Sequence, residues 1–264
     1  MATTLQLPDL LRLIEERSIA LRAAVAAAAS LEMQVPTCPE WTLLDLVHHL
    51  GSSHRRWAAT VAAGPADTPP DEAVWKSSPA TPADRQALLG WSQESTTQLL
   101  SALRAAGRDR SCWTWWGEAQ SPSTSGAVAR HQLQHIAVHT YDAQITVGDP
   151  QPLPEEAAVD GVEEFLFTCC SGTDPWPHEP CRVDYEVTEG RSWRLSLSAD
   201  GARTAPILGP GILASTTTDD AAASLRGSAS DVVLFMYGRI PASALHGKGD
   251  GRIFDQLAAW DPDA

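Results

Sequence analysis

Three histidines have the spacing and the surroundings expected of metal ligands. His135 and His139 are four positions apart in a segment with helical periodicity, so both imidazoles would project from one face about one turn apart. A third ligand has to come from another helix. His49 is the leading candidate, because its apolar neighbours predict a helix face turned toward a protein interior. Three neutral imidazoles leave a tetrahedral ion one open position, which is typical of catalytic rather than structural zinc sites.

The remaining five histidines are weaker candidates: His48, His54, His131, His178 and His246. His48 points about 100° away from its neighbour and is expected to be exposed. His54 follows His49 by five positions and falls off its face. His131 is one turn before His135 and further from a common focus, and the last two histidines lie in predicted loops. A plainer interpretation also stands, in which the paired histidines form a solvated polar edge and His49 is a hydrogen-bonded core residue.

Four predicted helices in the first half of the chain have to position these side chains. They cover about residues 8–30, a segment from Thr42 onward, a segment that begins at Thr81 and stops at Gly107, and residues 125–147. Thr42 is an expected N-cap, with an acid at the N3 position. Four antiparallel helices of this length form a bundle.

The second half of the chain has a different pattern. A proline-rich, acidic linker around residue 150 predicts a boundary between a domain of residues 1–150 and a domain of residues 151–264. Cys181–Val187 and Trp193–Ser198 alternate apolar and polar residues and predict a β-hairpin. Short helices follow. The expected class is α+β, with a helical bundle followed by a smaller α+β domain.

Composition excludes several classes of function. A net charge of −14 without a basic stripe argues against nucleic acid as a partner. The sequence has neither a long apolar run nor a signal-like start, so it predicts neither a membrane span nor secretion. Five cysteines without metal-site or disulfide spacing are expected to be free thiols in a cytoplasmic protein. A monomer and a homodimer are equally compatible with the sequence.

Three segments resemble the mycothiol-dependent maleylpyruvate isomerase family. They are Thr37–Leu50 (TCPEWTLLDLVHHL), Arg130–Ala143 (RHQLQHIAVHTYDA) and Leu225–Arg239 (LRGSASDVVLFMYGR). The resemblance covers nearly the whole chain, and it implies a DinB-like metal-binding four-helix bundle followed by the family's C-terminal domain.

The resemblance also implies a ligand set. The family's first and last ligands fall on His49 and His139, and its middle ligand, commonly a glutamate, falls on His135. The implied centre is therefore a three-histidine site for a divalent metal, with zinc expected, and it carries one negative charge less than the family's usual set. Asp142 could orient a ligand imidazole through a hydrogen bond, or be a solvated acid. Arg239 could bind a substrate carboxylate or complement a helix dipole.

The chemistry implied is that of a metal-coordinated thiolate from a low-molecular-weight thiol such as mycothiol, which would add to a small activated electrophile. Elimination after bond rotation would be cis–trans isomerisation, and release of the adduct would be S-transfer. The change from glutamate to His135 favours S-transfer. Trp115 and Trp116 could line the substrate pocket, or could pack under a loop.

Two other functions stay open. Three histidines in a DinB-like bundle also serve iron in oxygen-dependent C–S bond formation, although sulfoxide synthases carry a further large domain. The bundle could also be a non-catalytic module that binds a metal or a thiol.

Overall fold

A computed structural model describes residues 5–76, 83–207 and 221–260 of the 264-residue chain. The chain divides into two compact units. One comprises the chain up to Gly117 together with Ser123–Leu153, and the other comprises Glu118–Pro122 together with the chain from Pro154 onward. The first unit is helical and the second contains a five-stranded sheet, which confirms the predicted α+β class. None of the described helices is both long enough and apolar enough to span a membrane.

The first unit is built from four long helices and one short one. Their bounds are α1, Leu7–Ala27; α2, Leu43–Ala63; α3, Glu72–Lys76; α4, Arg85–Ala106; and α5, Ser125–Thr146. The apolar positions that predicted α1 are all buried: Leu10, Ile14, Leu21 and Val25. The helical periodicity of the sequence therefore corresponds to one buried stripe on this helix.

The N-terminus of α2 is the predicted one. The Thr42 hydroxyl accepts a hydrogen bond from the backbone N–H of Asp45 at 3.2 Å, and the Asp45 carboxylate accepts one from the backbone N–H of Thr42 at 2.9 Å. This reciprocal capping box pairs backbone N–H groups that a helix start leaves without partners. It fixes the first turn of the helix that carries His49.

Helix α4 begins later than predicted. Its N-cap is Asp84, whose carboxylate accepts from the backbone N–H of Ala87 at 3.0 Å, and the first helical residue is Arg85. The predicted start at Thr81 is therefore wrong, and Thr81 itself lies outside the described residues. Aspartate is as good an N-cap as threonine, so the shorter helix satisfies the same end group.

The directions of the helices differ from the expected antiparallel arrangement. The ring of Trp91 lies against Gly51, and four positions further along both helices Arg55 Nε donates to Ser95 Oγ at 2.8 Å. Helices α2 and α4 therefore run parallel. The long connection after α2 makes this possible, since it is long enough for the chain to return to the end of the bundle where α2 began.

Two short strands, which the sequence pattern did not predict, connect α1 to α2. Strand β1, Gln34–Val35, pairs antiparallel with β2, Cys38–Thr42. The Gln34 side-chain amide donates to the carbonyls of Pro39 and Trp41 at 2.6 and 2.7 Å, which closes this small ribbon.

The second unit contains the sheet, with strand order β5-β4-β3-β6-β7. Its elements are α6, Glu155–Thr168; β3, Cys181–Val187; β4, Ser192–Ser198; β5, Gly201–Pro206; β6, Ala223–Gly227; α7, Ala229–Met236; β7, His246–Gly249; and α8, Arg252–Ala259. The predicted hairpin is confirmed as β3 and β4, with Tyr185 opposite Trp193. Strands β3 and β6 are parallel, and the other neighbours are antiparallel. The five cysteines all lie among the described residues, and they are thiols that form no disulfide with one another.

Candidate metal centre

His49, His135 and His139 meet at one point in the first unit. Each offers one ligand atom, and the three atoms lie within 4.8 Å of one another. The ring centroids are 4.8 to 5.2 Å apart, and each pair of rings is inclined by 75 to 77°. The three imidazoles are arranged edge to face around a common centre, and each ring places one candidate ligand nitrogen there. The predicted convergence of these three side chains is therefore present in the structure.

The positions of these histidines follow from helix geometry. His135 and His139 are one turn apart on α5, so their rings share a face. His49 lies opposite them on α2. Helix α2 runs antiparallel to α5, since Trp57, further along α2, contacts His131, which is one turn earlier on α5. The Nε2 atoms of His49 and His135 lie 2.8 Å apart. Two nitrogens on a tetrahedral zinc ion are about 3.3 Å apart, so the residues fit the ion with a small outward movement.

The protonation states also suit metal binding. Burial and the neighbouring His139 lower the pKa of His49 from 6.5 to about 4. Burial, followed by the other histidines, holds the pKa of His135 well below 6.5. Both rings are therefore neutral at pH 7, which is the form that coordinates a metal.

A hydrogen-bond chain orients His139. Its Nδ1 is 2.8 Å from Asp142 Oδ2, and Asp142 is fully buried. Since an ionised carboxylate only accepts, the Nδ1 atom carries the proton and Nε2 is left as the ligand atom. Asp142 accepts further hydrogen bonds from Thr37 Oγ1 at 2.6 Å and from Cys38 Sγ at 3.7 Å. The expected contact of Asp142 with a ligand imidazole is present, whereas a solvated position is not.

Ser53 and Trp41 complete the immediate surroundings. Ser53 Oγ lies 3.5 Å from His135 Nδ1, on the ring edge away from His49. The Trp41 ring lies 4.6 Å from His49 and 5.7 Å from His139, measured between centroids. Sequence reasoning did not single out these two side chains, nor Thr37 and Cys38. Trp41, Thr37 and Cys38 do lie within the first family-like segment, and that is the signal that could have found them.

Cys38, His139 and Asp142 form a second group whose possible ligand atoms lie within 4.8 Å. This group shares His139 with the first and uses the edge of the ring already bonded to Asp142. An ion there would have to replace the hydrogen bond between His139 and Asp142. We therefore interpret Cys38 and Asp142 as hydrogen-bond partners that orient His139 for the first group. No other His, Cys, Asp or Glu among the described residues joins the three histidines. A tetrahedral ion held by these three imidazoles would keep one position for another ligand.

Three histidines near the centre do not join it. His131 is stacked on His135 at 6.5 Å between centroids and packs against the tryptophans. His54 is 2% exposed, and its Nδ1 is 3.3 Å from Thr96 Oγ1. His48 was expected to be exposed, and this is wrong, because it is half-buried with its ring edge toward Trp91.

The tryptophans before α5 form an aromatic cluster beside the histidines. Trp115 and Trp116 lie 5.6 and 5.1 Å from the His131 ring, measured between centroids. Trp116 is 2% exposed and also contacts Trp57, whereas Trp115 is 37% exposed. Trp115 is thus accessible to a ligand, and the buried Trp116 packs against it edge to face.

Arg239 lies in the second unit, just after α7. Its backbone N–H donates to Leu234 O at 2.7 Å, and its guanidinium Nη1 donates to Tyr237 O at 2.6 Å. A cation bonded to the last carbonyls of a helix complements the helix dipole, so that interpretation has direct support. Carboxylate binding by Arg239 stays a prediction.

The fold and the site together define a class: an α+β protein whose helical unit holds a candidate three-histidine metal centre. The sequence profile of the mycothiol maleylpyruvate isomerase N-terminal domain matches residues 11–144, and that of the corresponding C-terminal domain matches residues 156–256. The chain therefore belongs to the mycothiol maleylpyruvate isomerase family.

Solved structures agree with this assignment. The chain is similar to a mycothiol-dependent maleylpyruvate isomerase with a TM-score of 0.63 and 14% identity, over 94% of this chain and 96% of that one. A histidine-to-alanine mutant of a mycothiol-dependent maleylpyruvate isomerase gives a TM-score of 0.61 and 13% identity over the same shares. At such identities the likeness shows the fold alone. No curated protein matches this sequence.

Proposed function

We propose that this protein is a metal-dependent enzyme that uses a low-molecular-weight thiol, such as mycothiol, to transform a small activated electrophile. The observation that carries the proposal is the convergence of His49, His135 and His139 with one coordination position left for an exogenous ligand. Zinc is the expected ion, because three imidazoles and an open position are its usual catalytic set. Membership of the family supports the thiol as cosubstrate.

The bound ion would supply a Lewis acid that ionises the thiol at neutral pH, where a free thiol of pKa about 8.5 is mostly protonated. The chain's own residues hold and orient. His139 keeps its proton on Nδ1, which donates to the Asp142 carboxylate, so the Nε2 atom stays available at every turnover. The Trp41 ring covers the His49 and His139 imidazoles on one side.

Two reactions are compatible with such a thiolate. The family name supports cis–trans isomerisation, in which the thiolate adds to a double bond, the bond rotates and the thiolate leaves. S-transfer ends instead when the carbanion formed by the addition takes up a proton, equivalent to the one that the thiol lost, and the thioether adduct is released. A histidine at position 135 in place of a glutamate gives a more positive centre, which holds the thiol more firmly in its ionised form. We therefore propose S-transfer or isomerisation as the reaction, with S-transfer favoured by His135.

Metal analysis tests the proposal. Purified wild-type protein should contain close to one equivalent of zinc, and His135→Ala should contain little. His246→Ala is the matched control, because His246 is exposed on β7 in the second unit and should leave the metal content unchanged. Iron in place of zinc would favour oxygen-dependent C–S bond formation. Absence of bound metal from the wild type would refute the proposal.

Turnover separates an enzyme from a carrier. Zinc-loaded protein with mycothiol should consume an activated alkene, whereas a binding module would only retain the thiol. Trp115→Ala should raise KM for an aromatic or conjugated electrophile, because the ring is exposed and accessible to a ligand. It should leave the zinc content intact, because the ring contacts His131 and none of the three histidine ligands. Unchanged KM would remove Trp115 from the substrate site.

Arg239 is the proposed carboxylate-binding residue. Arg239→Lys keeps the charge but loses the planar, bidentate donor pair, so KM for an electrophile with a carboxylate should rise while KM for an uncharged one stays the same. Equal values for both substrates in the variant and the wild type would assign Arg239 to the end of α7 alone.

A further inference from the structure

The support of the candidate metal centre extends to a residue far away in the sequence. Asp142 is fully buried, and its two carboxylate oxygens accept hydrogen bonds from different partners. Oδ2 accepts from His139 Nδ1 at 2.8 Å, and Oδ1 accepts from the Thr37 hydroxyl at 2.6 Å. Thr37 lies in the connection between β1 and β2, so the ribbon that precedes α2 reaches α5 through this bond.

The two hydrogen bonds constrain the carboxylate in different ways. The bond to His139 alone would leave the carboxylate free to turn about its own axis and to tilt away from the ring. A second short bond, to the other oxygen, removes that freedom, because Thr37 is held by the closed ribbon and not by α5. Cys38 Sγ adds a contact at 3.7 Å to Oδ2, and a thiol is a weaker donor than a hydroxyl.

We propose that Thr37 is a positioning residue for the metal centre. It holds Asp142 so that His139 keeps the proton on Nδ1 and presents Nε2 to the ion. The proposal rests on the proposed metal site, and it assigns to the β1–β2 ribbon a role in metal affinity. A group that hydrogen-bonds a metal ligand directly, as Asp142 does, typically accounts for roughly 10- to 100-fold in metal affinity, and Thr37 acts one bond further out, through Asp142.

The test uses the full-length protein with Zn²⁺ and a chromophoric chelator in competition. Thr37→Val removes the hydroxyl and keeps the shape, and we expect zinc binding to weaken by up to roughly 10-fold, the lower end of the range for direct partners of a ligand. Thr37→Ser should restore an affinity close to that of the wild type. The matched control is Thr146→Val, because the Thr146 hydroxyl donates to the backbone carbonyl of Asp142 and not to its carboxylate.

A double-mutant cycle separates this role from general damage. If Thr37 acts through Asp142, Thr37→Val should change zinc affinity little in a protein that already carries Asp142→Asn. The visible absorption of the Co²⁺-loaded Thr37→Val protein should also differ from that of the wild type, since the ligand field reports the orientation of His139. Circular dichroism of the metal-free variants checks that they are folded.

The outcomes are distinct. Wild-type affinity and an unchanged Co²⁺ spectrum in Thr37→Val would overturn the role of Thr37 and leave the proposed function standing. Equal losses in the Asp142→Asn and the native backgrounds would also overturn it. A wild-type protein that binds neither ion would overturn the metal site and the role of Thr37 together.

Discussion

The buried His54 makes the bundle sensitive to acid. It is 2% exposed, and the groups that face it are the Thr96 hydroxyl on α4, the Arg22 guanidinium on α1, and the His49 and His135 rings. Burial, with Arg22 and His49 as smaller causes, lowers the pKa of His54 from 6.5 to about 4. The unfolded chain therefore takes up a proton near pH 6.5, while the folded chain resists it. The stability that neutral His54 contributes is complete above pH 6.5 and is lost as the pH falls toward 4.

The size of this effect follows from the two pKa values. At about 1.36 kcal/mol for each pKa unit, His54 alone should remove about 2 kcal/mol from the free energy of unfolding between pH 7 and pH 5. His54→Gln carries no titrating group and still offers an amide to Thr96. The variant should therefore lose about 2 kcal/mol less than the wild type over the same interval, whatever its absolute stability.

Urea unfolding at pH 7, 6 and 5 measures this difference. A chelator is present throughout, so that the three ligand histidines titrate without metal in both proteins. His246→Gln, at an exposed position on β7, is the control and should follow the wild type. If the free energies of the wild type and His54→Gln fall in parallel with pH, the neutral, buried state assigned to His54 is wrong.

Two further predictions concern packing and a buried ion pair. A Cβ at Gly51 would lie 2.0 Å from the Trp91 ring, so Gly51→Ala should destabilise the protein by about 2 kcal/mol or more in urea unfolding. Gly90→Ala, where a Cβ meets nothing within 4 Å, should stabilise it by up to about 1 kcal/mol, and similar effects of the two would contradict the packing described. Arg194 Nε and Nη2 donate to the two carboxylate oxygens of Asp184 at 2.7 and 2.8 Å on strands β4 and β3. Arg194→Met would leave that carboxylate buried without its cation. Urea unfolding should then report a free energy of unfolding lower by about 3 kcal/mol, and the thermal midpoint should fall with it. A loss below about 1 kcal/mol would mean that solvent screens the pair.

Much of the fold could be predicted because its signals are local. Helix periodicity, the Thr42 capping box and the alternation of β3 and β4 depend on residues within a few positions of one another. Strands β5 and β7 carried no such signal. Strand β7 is the four-residue segment His246–Gly249, with every residue exposed and two glycines, and its pairing with β6 is decided by the neighbouring strand.

The direction of α4 was also beyond local reasoning. Helix periodicity is the same whichever end of the bundle a helix starts from, and a long connection permits both directions. The choice is made by contacts such as Trp91 against Gly51, between residues in separate helices. The same contacts explain why His48 is half-buried beside Trp91.

The amino-acid sequence by itself determined which two histidines share a face of α5, because helical geometry places residues four apart on one side. It also indicated His49 as the third, through its apolar neighbours. Only the tertiary structure decided that Asp142 bonds Thr37, 105 positions away in the sequence. The physical reason is that a side chain's partner across the core depends on how whole helices pack, and that packing is the sum of many contacts that no short segment contains.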